Sequence, residues 1–121
     1  MRYALLLAND AADVARWRAM SPEEAAAARE ASLPHWLALF ERMDARQQRV
    51  SGLELEDPSE ARTVRVLDGE TVVTDGPYAE TKELVGGLLV VDCADLDEAI
   101  ELAASVPLVS RGSVEIRPVV E

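Results

Sequence analysis

Two stretches limit what this chain can become. Tyr3-Ala4-Leu5-Leu6-Leu7-Ala8 and Gly86-Gly87-Leu88-Leu89-Val90-Val91 are apolar without alternation, and each is about one strand long. A strand with one face in water alternates. A short unbroken apolar run bounded by polar residues reads as a strand covered on both faces. Asn9-Asp10 and Asp92 supply those bounds. Both runs are therefore expected at the centre of one sheet, and neither is long enough to cross a bilayer as a helix.

The other segments arrange themselves around these two. A short helix is expected from Ala11 to Arg18, with Val14 and Trp17 on one side. Ser21-Pro22-Glu23-Glu24 starts a second helix: Ser21 caps, Pro22 suits the first position, and Glu24 completes a capping box. Pro34 lacks an amide donor and clashes with the preceding turn, so it predicts a kink or two consecutive helices. Leu33, Trp36, Leu37, Phe40 and Met43 form the stripe expected to face the sheet, with His35 on its flank. A strand follows at Val50 to Leu55, with Val50 out of step unless Gly52 marks a bulge.

Asp68-Gly69, between Thr63–Leu67 and Glu70–Thr74, predicts a two-residue hairpin that pairs Val64 with Val73 and Val66 with Thr71. Asp95 caps a further helix whose expected apolar stripe is Leu96, Ala99, Ile100 and Ala103, with Glu98 reaching back and Pro107 closing the element. In the last strand Val114 and Ile116 alternate with Glu115 and Arg117. Pro118 cannot donate to a ladder, which places this strand at an edge.

The length of 121 residues fits one domain, residues 1–121. A formal net charge of -11 argues against nucleic acid, whose phosphates such a surface repels, and equally against an anionic membrane. One Cys and one His cannot build a Cys/His zinc site, so no metal or cofactor is expected. Cys93 reads as a small buried residue. Met1-Arg2-Tyr3 runs straight into the first strand, which predicts a cytoplasmic protein without a targeting segment.

Strand, helix, strand, hairpin, strand, helix, strand is the resulting order. With the hairpin set aside it is βαββαβ, the ferredoxin-like α+β pattern. Both main helices would cover one sheet face. The other face cannot stay open to water if it is apolar, and a second subunit, giving a homodimer, is its simplest cover.

Between the hairpin and the second apolar run lies Thr74-Asp75-Gly76-Pro77-Tyr78-Ala79-Glu80-Thr81-Lys82-Glu83. Asp75-Gly76-Pro77 is a turn, and the turn fixes the backbone around Asp75. This motif resembles that of the YCII-related, or DGPF-domain, family, with Tyr78 where Phe is usual. Thr63-Val64-Arg65-Val66, Leu96-Asp97-Glu98-Ala99, Val114-Glu115-Ile116-Arg117-Pro118, Met1-Arg2-Tyr3 and Ser21-Pro22-Glu23-Glu24 extend the resemblance over nearly the whole chain. It implies a dimeric α+β barrel and an active-site cleft with a His–Asp acid–base pair, which maps to His35 and Asp75. One enzymatic relative is a dehydrochlorinase acting on a chlorinated hydroquinone. Some genes of this type lie beside sigma-factor genes, which suggests a regulatory partner by analogy alone.

Two functions follow. In the first, His35 and Asp75 exchange protons with a small molecule held by Arg117, Tyr78 and Lys82; His35 suits this because its ordinary pKa lies near neutrality. In the second, the cleft binds a metabolite or regulates a partner without chemistry. A cleft that joins His35 to Asp75 favours the first, and a cleft lined only by aliphatic groups favours the second; a filled interface with no cavity favours a third reading, an interaction scaffold alone.

Overall fold

The computed structural model describes residues 1–77 and 83–121, with Glu83 as backbone alone. Its elements in chain order are β1 (Arg2–Asp10), α1 (Ala11–Arg18), α2 (Pro22–Ala45), β2 (Arg49–Glu54), β3 (Arg62–Leu67), β4 (Glu70–Asp75), β5 (Glu83–Asp92), α3 (Leu96–Ala104) and β6 (Gly112–Pro118). Short 3-10 turns occupy Pro58–Glu60 and Pro107–Arg111. The result is a mixed α+β fold with antiparallel strands. Four form a sheet in the order β2-β5-β1-β6, and β3 and β4 form a separate two-stranded ribbon.

The two apolar runs are the central strands β1 and β5. Their register pairs Leu5 with Leu89 and Tyr3 with Val91. Partners across an antiparallel pair share a face, and these four are buried among Leu39, Met43, Ala99, Leu102 and Val106. The alternate residues Ala4, Leu6, Leu88 and Val90 point to the second face, where they are half-buried in the protomer. β6 is an edge strand, and Pro118 sits at its end opposite Tyr3, where no ladder bond is lost. Gly112 begins it against β1. A Cβ there would lie 1.9 Å from the Ala8 carbonyl oxygen.

α2 begins as its sequence dictates. Ser21 Oγ accepts from the Glu24 amide at 3.1 Å, and a Glu24 carboxylate oxygen accepts from the Ser21 amide at 3.1 Å. Pro34 does not divide it: one helix runs from Pro22 to Ala45. The packing beyond Pro34 compensates for the missing amide donor, because Trp36, Leu39, Phe40 and Met43 all pack on the core. That set also corrects the expected stripe. Leu33 and Leu37 are 50% and 54% exposed, while Leu39 is buried. The helix is turned so that the sheet meets the side centred between Leu39 and Phe40.

Three smaller corrections follow. The irregularity in β2 falls at Val50, between Arg49 and Ser51, not at Gly52. Gly52 instead makes room for Leu89, whose Cδ2 would be 2.7 Å from an added Cβ. In α3, Leu96 and Ile100 are exposed and Leu102 is buried with Ala99 and Ala103. Asp95 caps α3 as expected, but Glu98 reaches one residue further back, to the Ala94 amide at 2.7 Å, and also accepts from the Gln48 side chain.

The ribbon follows its turn. Asp68 and Gly69 both have positive φ, 50° and 79°, as a two-residue hairpin of this twist requires. Val64 pairs with Val73 and Val66 with Thr71. Cys93 is buried, and its thiol pKa is raised chiefly by burial, with help from Glu98 and Asp92. Among the described residues, no helix is long and apolar enough to cross a membrane.

Candidate functional site

Arg29, Glu30, Ser32, Leu33, Trp36 and Phe40 of α2 lie along an opening beside the sheet. They border a groove of about 890 Å³, completed by α1, by β2 and the segment after it, by the start of β5, and by the turn at Pro107–Arg111. Trp17, Trp36 and Phe40 all line it. The chain has only two Trp, two Tyr and one Phe, so most of its aromatic surface is gathered here. Leu7, Leu33, Leu53 and Leu89 add aliphatic wall. The exposure of Leu33 is thus explained by the groove it faces.

One polar point is built by the strand-to-helix junction. Asp10, in extended conformation, caps α1 by accepting the Asp13 amide at 2.7 Å. This puts Asp13 in the first turn, where the helix dipole favours a negative charge. Asp13 is 6% exposed. Its Oδ2 accepts from Asn9 Nδ2 at 2.6 Å, and its Oδ1 accepts from Arg16 Nε and Nη2 at 3.2 and 2.7 Å. Burial pushes the carboxyl pKa up. The Arg16 guanidinium and the Asn9 amide outweigh burial and, with a smaller pull from Arg111, hold it below the ordinary value. Asp13 is therefore a fixed carboxylate. Gly86 leaves space for this arrangement, since a Cβ there would meet Asn9 Oδ1 at 2.9 Å.

Ion pairs brace the rim. Arg29 meets Glu54 through two bonds of 2.8 and 2.7 Å, linking α2 to β2. Arg18 meets Asp57 through bonds of 3.0 and 2.8 Å, linking α1 to the segment after β2. Hydrogen bonds from Arg18 and then from the Ser59 backbone hold the Asp57 carboxyl far below its usual range. Two guanidiniums lie over groove rings: Arg16 is 5.5 Å from the Trp17 centroid, and Arg49 is 4.9 Å from that of Phe40. Among the described lining residues, the carboxylates Asp13, Glu30, Glu54, Glu56 and Asp57 outnumber the guanidiniums Arg29, Arg49 and Arg111 by two.

Of the residues expected from sequence, His35, Asp75 and Arg117 lie elsewhere. His35 is exposed on α2 and is not part of the groove wall. Asp75 ends β4, where its carboxylate is 91% exposed and 3.2 Å from Arg62 Nε. Among the described residues, no hydrogen bond or ion pair joins His35 to Asp75. Arg117 is exposed on β6, opposite Ala4. Tyr78 and Lys82 fall outside the described residues. Asn9, Asp13, Trp17, Arg29 and Arg111 were not expected as site residues; Asn9 reads in the sequence as a strand boundary and Trp17 as part of a helix face. The spacing of Asp10 and Asp13 signals a helix cap, but no local pattern connects it to Trp36, 23 residues beyond Asp13.

Comparison with known proteins agrees with the resemblance in the sequence. A relative from Rhizobium meliloti (strain 1021), described as an uncharacterized protein, is 50% identical over 60 residues. That match covers 48% of this chain and 48% of the relative, so it spans about half the length of each. The YCII-related domain matches residues 1–121, the whole chain, and the protein belongs to the YCII-related family.

Proposed function

We propose that the protein binds a small molecule with an apolar body in this groove, and does so without acid–base chemistry of its own. The supporting observation is the gathering of Trp17, Trp36 and Phe40 around a groove that also holds the buried carboxylate of Asp13. Its volume suits a small ligand, since such pockets span about 300–1,000 Å³. A general base works best with a pKa near the working pH. Asp13 is held below that of a free carboxyl, which makes it a weak proton acceptor and a well-fixed hydrogen-bond acceptor.

Intrinsic fluorescence tests this reading directly, because both tryptophans of the chain line the groove. Benzylamine, benzyl alcohol and benzoate carry the same ring with different charge. A saturable change of tryptophan emission with at least one of them is expected. Silence toward all three would overturn the reading.

We also infer that the protomer is ferredoxin-like and pairs with a second copy into a dimeric α+β barrel. The strand order β2-β5-β1-β6 supports the first part, being that of a split βαβ sheet once the ribbon is set aside. The half-buried Leu6, Leu88 and Val90 on the face without helices support the second. Light scattering should give twice the protomer mass of 13.2 kDa. A value at 13.2 kDa itself would exclude the dimer.

A further inference from the structure

We propose that the groove selects organic ammonium ions, that is, amines protonated at neutral pH and carried on an aromatic or aliphatic body. The inference rests on the reading of the groove as a small-molecule site. It adds the charge class of the ligand.

Three features of the groove favour a cation. The first is field. Carboxylates outnumber guanidiniums in the lining, on a chain whose formal net charge is -11. Asp13, Glu54 and Asp57 are paired with Arg16, Arg29 and Arg18, and Arg49 with Asp44, which leaves Glu30 and Glu56 against Arg111 among the described lining residues. A low-dielectric cleft lined by one sign of charge concentrates ions of the other sign.

The second is a vacant acceptor position. An ionised carboxylate offers about four lone-pair sites. Arg16 takes two on Asp13 Oδ1 and Asn9 takes one on Oδ2. Among the described residues nothing takes the remaining site on Oδ2, and a charged N–H donor is the strongest partner for it. An anionic ligand finds no such partner there.

The third is the aromatic wall. A cation is attracted to the face of an indole ring when it lies within about 6 Å of the centroid. The protein already places its own cations over two of these rings, Arg16 over Trp17 and Arg49 over Phe40. Trp36 stands 5.9 Å from Phe40, centroid to centroid, and carries no such cation among the described residues. It is half-buried against the core and lines the groove, so part of its ring is left for the ligand. Arg111 opposes the arrangement: it lines the groove and its charge is felt at Asp13. Removing that charge should strengthen the site.

The three probes above separate the charge class from the existence of the site. Benzylamine should bind about tenfold more tightly than benzyl alcohol, the difference expected of a cation–π and charge-assisted contact. Benzoate should be weaker than both. Asp13→Asn should bring benzylamine and benzyl alcohol to similar affinity, and Arg111→Gln should tighten benzylamine. Should Asp13→Asn fail to fold, Glu30→Gln, an exposed rim change, should weaken benzylamine and leave benzyl alcohol unchanged. Equal or tighter binding of benzyl alcohol or benzoate by the wild type overturns the ammonium inference and leaves the groove reading intact. Absence of any response overturns both.

Discussion

The Asn9 side-chain amide donates to Asp13 Oδ2 at 2.6 Å, tying the end of a central strand to the first turn of α1. Four residues separate the two. The bond exists because the chain turns from strand to helix at Asp10, and it holds a carboxylate that would otherwise be poorly solvated. Asn9→Ala should therefore cost about 1–3 kcal/mol, the range for leaving a buried partner unsatisfied. Urea denaturation measures it. A change within a few tenths of a kcal/mol would show that water replaces the amide.

The same carboxylate sets a pH dependence. Its folded pKa lies below the ordinary 3.8. A group depressed in the folded state contributes stability above its unfolded pKa and loses it as pH falls through the folded value. Wild type should thus lose stability more steeply below pH 3.8 than Asp13→Asn does. Parallel urea midpoints down the acid range for the two proteins would refute this.

α2 offers a paired test of which side it buries. Met43 is fully buried and Leu37 is 54% exposed. Met43→Ala should cost about 2–5 kcal/mol through lost contacts and a residual cavity. Leu37→Ala should stay within about 0.5 kcal/mol in the protomer. If Leu37→Ala proves the costlier of the two, the helix is turned the other way or Leu37 is covered by a partner; the dependence on protein concentration separates these.

Gly112→Ala should prevent folding. The added methyl would sit 1.9 Å from the Ala8 carbonyl oxygen, a backbone atom in the middle of the sheet that has nowhere to go. A soluble variant with a native circular-dichroism spectrum would contradict the β1–β6 register.

His35→Ala should leave the fluorescence response to benzylamine unchanged, because His35 is exposed and outside the groove wall. Loss of binding in that variant would return the site to the His35–Asp75 pairing that the family resemblance suggested.

What the sequence disclosed was local or depended on a single period. The unbroken runs at Tyr3–Ala8 and Leu88–Val91 placed two strands at the centre of the sheet, because nothing but burial on both sides suits such runs. Asp68-Gly69 and Ser21 with Glu24 were legible for the same reason: each motif satisfies backbone groups within a few residues. The rotation of α2 was not legible. Its first half is rich in Ala, which marks no face, so Leu33 and Leu37 entered the expected stripe and Leu39 did not. The groove was less legible still. Asp13, Trp36, Gly86 and Arg111 meet only after the sheet has assembled, and each alone is an ordinary residue of its element. The motif around Asp75 drew attention because it is dense in sequence, and density in sequence is not proximity in space.

The β3–β4 ribbon carries its ladder wholly between residues fewer than fifteen apart, and Val64, Val66 and Val73 on it remain exposed. It should therefore have its own opening equilibrium, separate from the four-stranded sheet. Contacts so close in sequence form quickly and break without consulting the core. Amide hydrogens along β3 and β4 should exchange through local opening, at rates insensitive to mutations such as Met43→Ala, while those of β1 and β5 should exchange only when the whole domain unfolds. The molecule would then consist of two cooperative units of unequal size, and whatever covers the ribbon would be read out as slower exchange there first.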